Sequence, residues 1–163
     1  MIIDLFKTGI YREQLTLNNS GLKKYCHDIK QNQEGTTLSN RGGFHSDNLN
    51  MNDASIRELM KQIISSANGY SEQLGYSEVK MYNIWCNINS YRDHNQVHCH
   101  PNAKVSGVYY VKTPENCGEI EFHNPAYHVL QQSDLSRPNN HYTSIFWWLP
   151  AADGVLYFCL LYT

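Results

Sequence analysis

The hydrophobic period changes partway along the chain, and the change divides it. Ile56, Leu59, Met60, Ile63, Ile64 and Ala67 recur at three- and four-residue spacing, the period of one face of an α-helix. Asp53 can cap the start of that helix, and Asn68-Gly69 its end. A helix is also predicted earlier, where Leu22, Tyr25, Cys26 and Ile29 follow the capping side chains of Asn18-Asn19-Ser20. Residues 10–17 alternate loosely and read as a strand. From 31 to 52 the chain is rich in Gln, Asn, Gly and Ser, with a turn at Gly42-Gly43, so only 43–46 is expected to pair as a short strand.

Beyond residue 79 the apolar residues follow the period of β-structure. Strands are predicted at 79–91, 96–100, 106–112, 118–122, 142–149 and 154–161. Helices come first and strands after, and Pro or Gly stands at most joints. That order favours a mainly β fold with N-terminal helices, rolled into a sandwich or barrel, over a parallel α/β sheet. The stripe from Ile56 to Ala67 is then the face that packs on the sheet. A length of 163 residues suits one domain, with 1–77 as support and 78–163 as the β core.

Composition narrows the functional classes. With 41% hydrophobic and 17% charged residues the chain is ordinary for a soluble globular protein. A net charge of -2 with scattered Lys and Arg gives no basic stripe, which argues against a nucleic-acid groove. The five cysteines contain no C-x-x-C, so neither a disulfide framework nor a zinc knuckle is expected, and reduced thiols in a cytoplasm fit better. Cys99 and Cys117 read as small buried apolar groups rather than nucleophiles. The opening residues Met1 to Lys7 carry an early acid and no long apolar run, so neither a signal peptide nor a membrane helix is expected there. The run 154–162 is almost unbroken apolar sequence, which predicts an open strand edge able to pair with a second copy as a homodimer.

The candidate chemistry lies in Asn95-Gln96-Val97-His98-Cys99-His100-Pro101. Residues two apart in a strand share a face, so His98 and His100 converge while Cys99 points away. Imidazole suits iron, copper, nickel and zinc alike, and the pair does not name the metal. If only one of the two binds, Asp93 or another acid must complete the site. Asn87 and Asn89 share a face with Trp85 and can donate amide hydrogens to a carboxylate or carbonyl. Tyr109 and Tyr110 point to opposite faces, so one can reach the pocket. Ser106-Gly107 reads as a shape element, a bulge or a close backbone approach.

The residues Tyr82-Asn83-Ile84-Trp85-Cys86-Asn87-Ile88-Asn89, Asn95 to Pro101, Ser106-Gly107-Val108-Tyr109-Tyr110-Val111, Pro114, Gly118-Glu119-Ile120-Glu121-Phe122 and Asn124-Pro125 together resemble the 2-oxoglutarate- and Fe(II)-dependent oxygenases common in marine phages and bacteria. Weaker similarity reaches back to Ser39–Ser46 and Leu5-Phe6, and forward to Pro150 and Gly154–Phe158. The resemblance implies a double-stranded β-helix, the jelly-roll or cupin-like barrel, with Fe(II) and 2-oxoglutarate at its mouth. It implies His98 and His100 as metal ligands, and Asn87, Asn89 and one of Tyr109 or Tyr110 as groups that position the cosubstrate. The substrate would be a small molecule or a peptide, and for a phage protein the compartment would be the host cytoplasm. The resemblance also implies a distal histidine and an arginine after the strand that begins near Gly154, where this chain reads Phe158-Cys159-Leu160-Leu161-Tyr162-Thr163. The expectation is a barrel lacking its last two strands with weak or absent turnover, unless His123, His128 or His141 and Arg137 substitute. Two further readings are a non-catalytic cupin-like metal-binding barrel and an assembly protein that pairs through its C-terminal strand.

Overall fold

The computed structural model describes residues 8–126 and 144–160. Its centre is an antiparallel sheet of β1 (Ile10–Gln14), β9 (Val155–Leu160) and β6 (Val105–Tyr109), in the order β1-β9-β6. The middle strand is apolar on both faces because both faces are covered: Val155, Leu156, Tyr157 and Phe158 are all buried. Burying Val155, Leu156 and Phe158 contributes about 1.5–3 kcal/mol each. One face carries Tyr11, Val105, Tyr109, Leu156 and Phe158 and packs against Ala67 and Tyr70 of the second helix. Gly107 lies opposite Phe158 in the ladder, and a Cβ there would run into that ring and approach the Tyr157 carbonyl oxygen to 2.8 Å. The predicted shape role of Ser106-Gly107 is met as a close approach.

Helix α1 (Asn19–Asn32) starts where its capping residues predict, with the Asn18 side chain accepting from the Gly21 amide at 3.0 Å. Its Leu22, Tyr25, Cys26 and Ile29 face a cluster built from Phe44, Leu49, Ile56, Leu59 and Cys86. Helix α2 (Arg57–Gln73) follows a short 3-10 turn capped by Asp53. It passes the predicted stop at Asn68-Gly69. The Asn68 side chain accepts the Val79 amide at 2.7 Å instead of ending the helix. The apolar face then continues through Tyr70, whose hydroxyl donates to the Gly9 carbonyl at 2.6 Å. The chain turns at Gly75, with φ of 77°.

Three two-stranded sheets complete the described fold: β2 (Asn40–Arg41) with β5 (His94–Asn95), β3 (Phe44–His45) with β4 (Asn87–Ile88), and β7 (Glu119–His123) with β8 (Phe146–Pro150). The architecture is mainly β with two helices and several antiparallel sheets, and no closed barrel forms among the described residues. Phe122 of β7 meets Tyr157 at 6.3 Å between ring centroids, and the Tyr157 hydroxyl donates to the Pro150 carbonyl, so β7–β8 faces the side of the central sheet away from the helices.

Several predicted strands are shorter or shifted. Of 79–91 only Asn87–Ile88 is in a ladder; the stretch before it pairs with an irregular segment, through Leu49 N to Ile84 O and Ser46 N to Cys86 O. Residues 96–100 are not a strand, because pairing with β2 ends at Asn95. The predicted strand 142–149 begins at Phe146, and its first two residues lie outside the described ones. The open edge expected of the last strand is absent over Val155–Leu160, since β1 and β6 pair with both sides of it. Cys99 and Cys117, expected to be buried, are exposed, Cys99 because its segment leaves the ladder and Cys117 because it sits at a turn where Asn116 has φ of 59°. Among the described residues no helix is long and apolar enough to cross a membrane.

Candidate metal centre

The two histidines converge without the strand that predicted it. The Gln96 amide still reaches the Ser39 carbonyl at 2.8 Å, but from Val97 the chain bends. It then turns through Pro101 and Asn102, with Asn102 at φ of 69° and the Ala103 amide donating to the His100 carbonyl at 3.2 Å. Across that bend the rings of His98 and His100 meet edge to face, with centroids 4.7 Å apart at 75°. His98 Nδ1 lies 2.7 Å from the Gln96 carbonyl oxygen. In the tautomer that donates there, the Nε2 lone pair is left for a metal, the backbone-anchored arrangement that metal-ligating histidines use.

His100 is half-buried. Burial, and secondarily the charge of His98, push its pKa below the ordinary histidine value. Both causes disfavour the imidazolium and favour the neutral ring that binds metals. The ring of Trp85 lies 5.6 Å from that of His100, tilted by 41°. His45 stacks on Trp85 at 5.5 Å and 12°. His45 is buried, with Nδ1 2.9 Å from the Ser46 carbonyl oxygen and 3.3 Å from the Thr36 hydroxyl. The sequence placed Trp85 on this face without a role and missed His45. The short run Phe44–His45 beside Gly42-Gly43 was the available signal.

Asn87 and Asn89 stand on the side of their segment opposite Ile84, Cys86 and Ile88, which enter the core cluster. Asn87 pairs with His45 in the β3–β4 ladder, and Asn89 donates to the Asn95 side chain at 3.5 Å. Tyr109 and Tyr110 do face opposite ways. The Tyr109 hydroxyl donates to Asn19 Oδ1 at 2.6 Å on the helix side. Tyr110 packs edge-on against Tyr157 at 6.3 Å on the other, and burial pushes its hydroxyl up to about 12.

The predicted substitutes do not join the pair. Asp93 accepts the Ser90 amide at 2.7 Å and closes a local turn. His123 bonds to Glu121 and packs on Phe146 at 6.2 Å. His128, His141 and Arg137 lie outside the described residues. Among the described residues no group of three or more His, Cys, Asp or Glu converges on one point. The converging donors among the described residues are therefore the two imidazoles of His98 and His100. The open space that includes this segment is lined by residues of both helices and all four sheets and measures about 4110 Å³, far above the ~300–1,000 Å³ of a typical ligand pocket, so side-chain convergence rather than cavity shape marks the site.

Comparison with curated proteins finds no match. Residues 83–159, which run from the segment carrying Trp85 through His98 and His100 to the central strand, match the family model described as "Putative 2OG-Fe(II) oxygenase". Over these residues the chain is similar to that family, whose description implies Fe(II) and 2-oxoglutarate.

Proposed function

We propose that the chain is a 2-oxoglutarate- and Fe(II)-dependent oxygenase acting on a small molecule or peptide, with His98 and His100 as its imidazole ligands to iron. The observation that carries this reading is the edge-to-face pair at 4.7 Å with His98 Nδ1 held by the Gln96 carbonyl. The bound iron and cosubstrate would supply oxygen activation, coupled to conversion of 2-oxoglutarate to succinate and carbon dioxide and to oxidation of a substrate C–H bond. The protein's own share is ligation and orientation. The Asn87 amide, and the amide hydrogen of Asn89 that does not go to Asn95, would donate to the keto acid, and Tyr110 serves in preference to Tyr109, whose hydroxyl is engaged by Asn19. The facing of β7–β8 and β1-β9-β6 across Phe122 and Tyr157 supports the jelly-roll arrangement.

Two imidazoles alone hold a metal weakly, and 2-oxoglutarate chelates through two further oxygens, so metal and cosubstrate should each strengthen the other's binding. A second reading, a metal-binding β-protein without turnover, is favoured by the absence of a third converging donor among the described residues. Anaerobic equilibrium dialysis with Fe(II), with and without 2-oxoglutarate, separates them. The proposal expects 2-oxoglutarate to tighten Fe(II) binding, and His98→Ala and His100→Ala each to abolish that gain. Binding that ignores 2-oxoglutarate supports the second reading, and binding unchanged in both variants overturns the assignment of the ligands.

A further inference from the structure

The β7–β8 ladder has one face turned to the central sheet and one turned away from it. Alternation along the pairing, from Glu119 opposite Pro150 to His123 opposite Phe146, sends Ile120 and Phe122 toward the sheet, where Phe122 meets Tyr157. Glu119, Glu121, His123, Phe146, Trp148 and Pro150 are left on the other side. Trp148 is 45% exposed there, although a tryptophan packed inside a protein buries a large apolar surface.

The exposed indole is held in place. Its Nε1–H donates at 2.6 Å to Oε2 of Glu121, the residue directly across the ladder, and His123 bonds the other oxygen of the same carboxylate. Phe146, two residues earlier on β8, lies against the indole with centroids 4.5 Å apart at 57°, and its ring meets His123 at 6.2 Å. The N–H edge is thus occupied, and Trp148 offers ring carbon and a π face to solvent. Glu119 stands diagonal to Trp148 in the ladder, a spacing that long and aromatic side chains bridge. Its carboxylate is exposed, and among the described residues nothing hydrogen-bonds or pairs with it.

The geometry points to a guanidinium-binding site on this face, with the planar cation of an arginine stacked on Trp148 and its N–H fork on the Glu119 carboxylate. A π face attracts cations in general. The open carboxylate beside it selects a cation that also donates hydrogen bonds, which a quaternary ammonium does not. A lysine ammonium donates but is a strongly hydrated point charge, whereas guanidinium is planar, more weakly hydrated and matched to a carboxylate by paired hydrogen bonds. Neither β7 nor β8 carries a Lys or Arg to compete for the place, and Lys112, which precedes β7, is paired with Asp153. The proposal does not depend on the assignment of an iron site.

The test is a titration of the full, isotope-labelled chain with N-acetylarginine amide, reading the indole N–H signals by NMR, with Trp148→Phe to assign the signal of Trp148. That signal should shift saturably while the signal of Trp85 stays in place. The uncharged N-acetylcitrulline amide should bind roughly two- to fivefold more weakly, and N-acetyllysine amide and tetramethylammonium should also bind more weakly than the arginine probe. Glu119→Gln, which leaves the aromatic pair and Glu121 intact, should weaken the arginine titration by roughly two- to fivefold. Free arginine run beside the amide names the source: equal or tighter binding assigns the site to the amino acid, and weaker binding assigns it to an arginine within a peptide. No saturable shift at Trp148 in the folded protein, equal binding of the citrulline analogue, the lysine amide or tetramethylammonium, or a Glu119→Gln variant that binds as wild type does, would overturn the proposal.

Discussion

Replacing Trp85 by alanine removes the ring that stands between His45 and His100, and the consequence for the metal can be worked out from the geometry. Trp85 contacts His100 at 5.6 Å and 41°, and His45 at 5.5 Å and 12°. An aromatic pair of this kind is worth about 0.5–1.5 kcal/mol beyond the area it buries. Only the contact with His100 bears on the ligand. If it holds the imidazole in the orientation that binds metal, its loss raises the dissociation constant for Fe(II) roughly two- to twelvefold. Loss of the stack on His45 falls on fold stability instead, because His45 is fixed by Ser46 and does not touch the pair. The assay is anaerobic titration of Fe(II) in the presence of 2-oxoglutarate, with circular dichroism to confirm that Trp85→Ala is folded. Trp85→Phe, which keeps a ring in place, should restore most of the affinity. A folded Trp85→Ala with unchanged affinity would refute the reasoning that this ring orients His100.

Other perturbations test neighbouring parts of the account. Gly107→Ala forces a methyl group toward the Phe158 ring and to 2.8 Å from the Tyr157 carbonyl, and should cost about 1–3 kcal/mol in denaturant unfolding; an unchanged midpoint would contradict the close approach. Tyr109→Phe removes the donor to Asn19 and should cost about 0.5–1.5 kcal/mol of stability without weakening 2-oxoglutarate binding, whereas Tyr110→Phe should weaken it. Asp153, paired with Lys112 at 2.7 Å and bonded to Thr113, has its carboxyl held down to about 2. A lowered carboxyl stabilises above its unfolded value of about 3.9, and that stabilisation is lost as pH falls toward 2. Asp153→Asn should therefore be less stable than wild type at neutral pH and equal to it near pH 2, as read by thermal melts across that range.

How far the sequence foretold this arrangement depends on how local each feature is. The helix starts were legible because capping side chains and the three-four stripe act within a turn or two, as at Asn18 and Asp53. The end of α2 was not, because Asn68 bonds to Val79, eleven residues on, and Gly69 stays helical. Strands β6 and β7 were legible from their β-period pattern and β9 from its unbroken apolar run, but the segment before β4 was not, since its partner around Ser46 to Leu49 is irregular. That the last strand lies between two others depends on β1, from the far end of the chain. The meeting of His98 and His100 was foreseen from their spacing, but a bend brings it about. His45 entered through a tertiary stack on Trp85, forty residues away, which no local pattern records.

The measurement that bears most directly on the central claim is the metal-to-ligand charge-transfer absorption that develops when 2-oxoglutarate chelates protein-bound Fe(II). Under anaerobic titration the account predicts a saturable band in the wild-type protein, absent in His98→Ala and in His100→Ala. A folded wild-type protein that gives no band, or variants that give the same band, would contradict the assignment of these two histidines as the iron ligands.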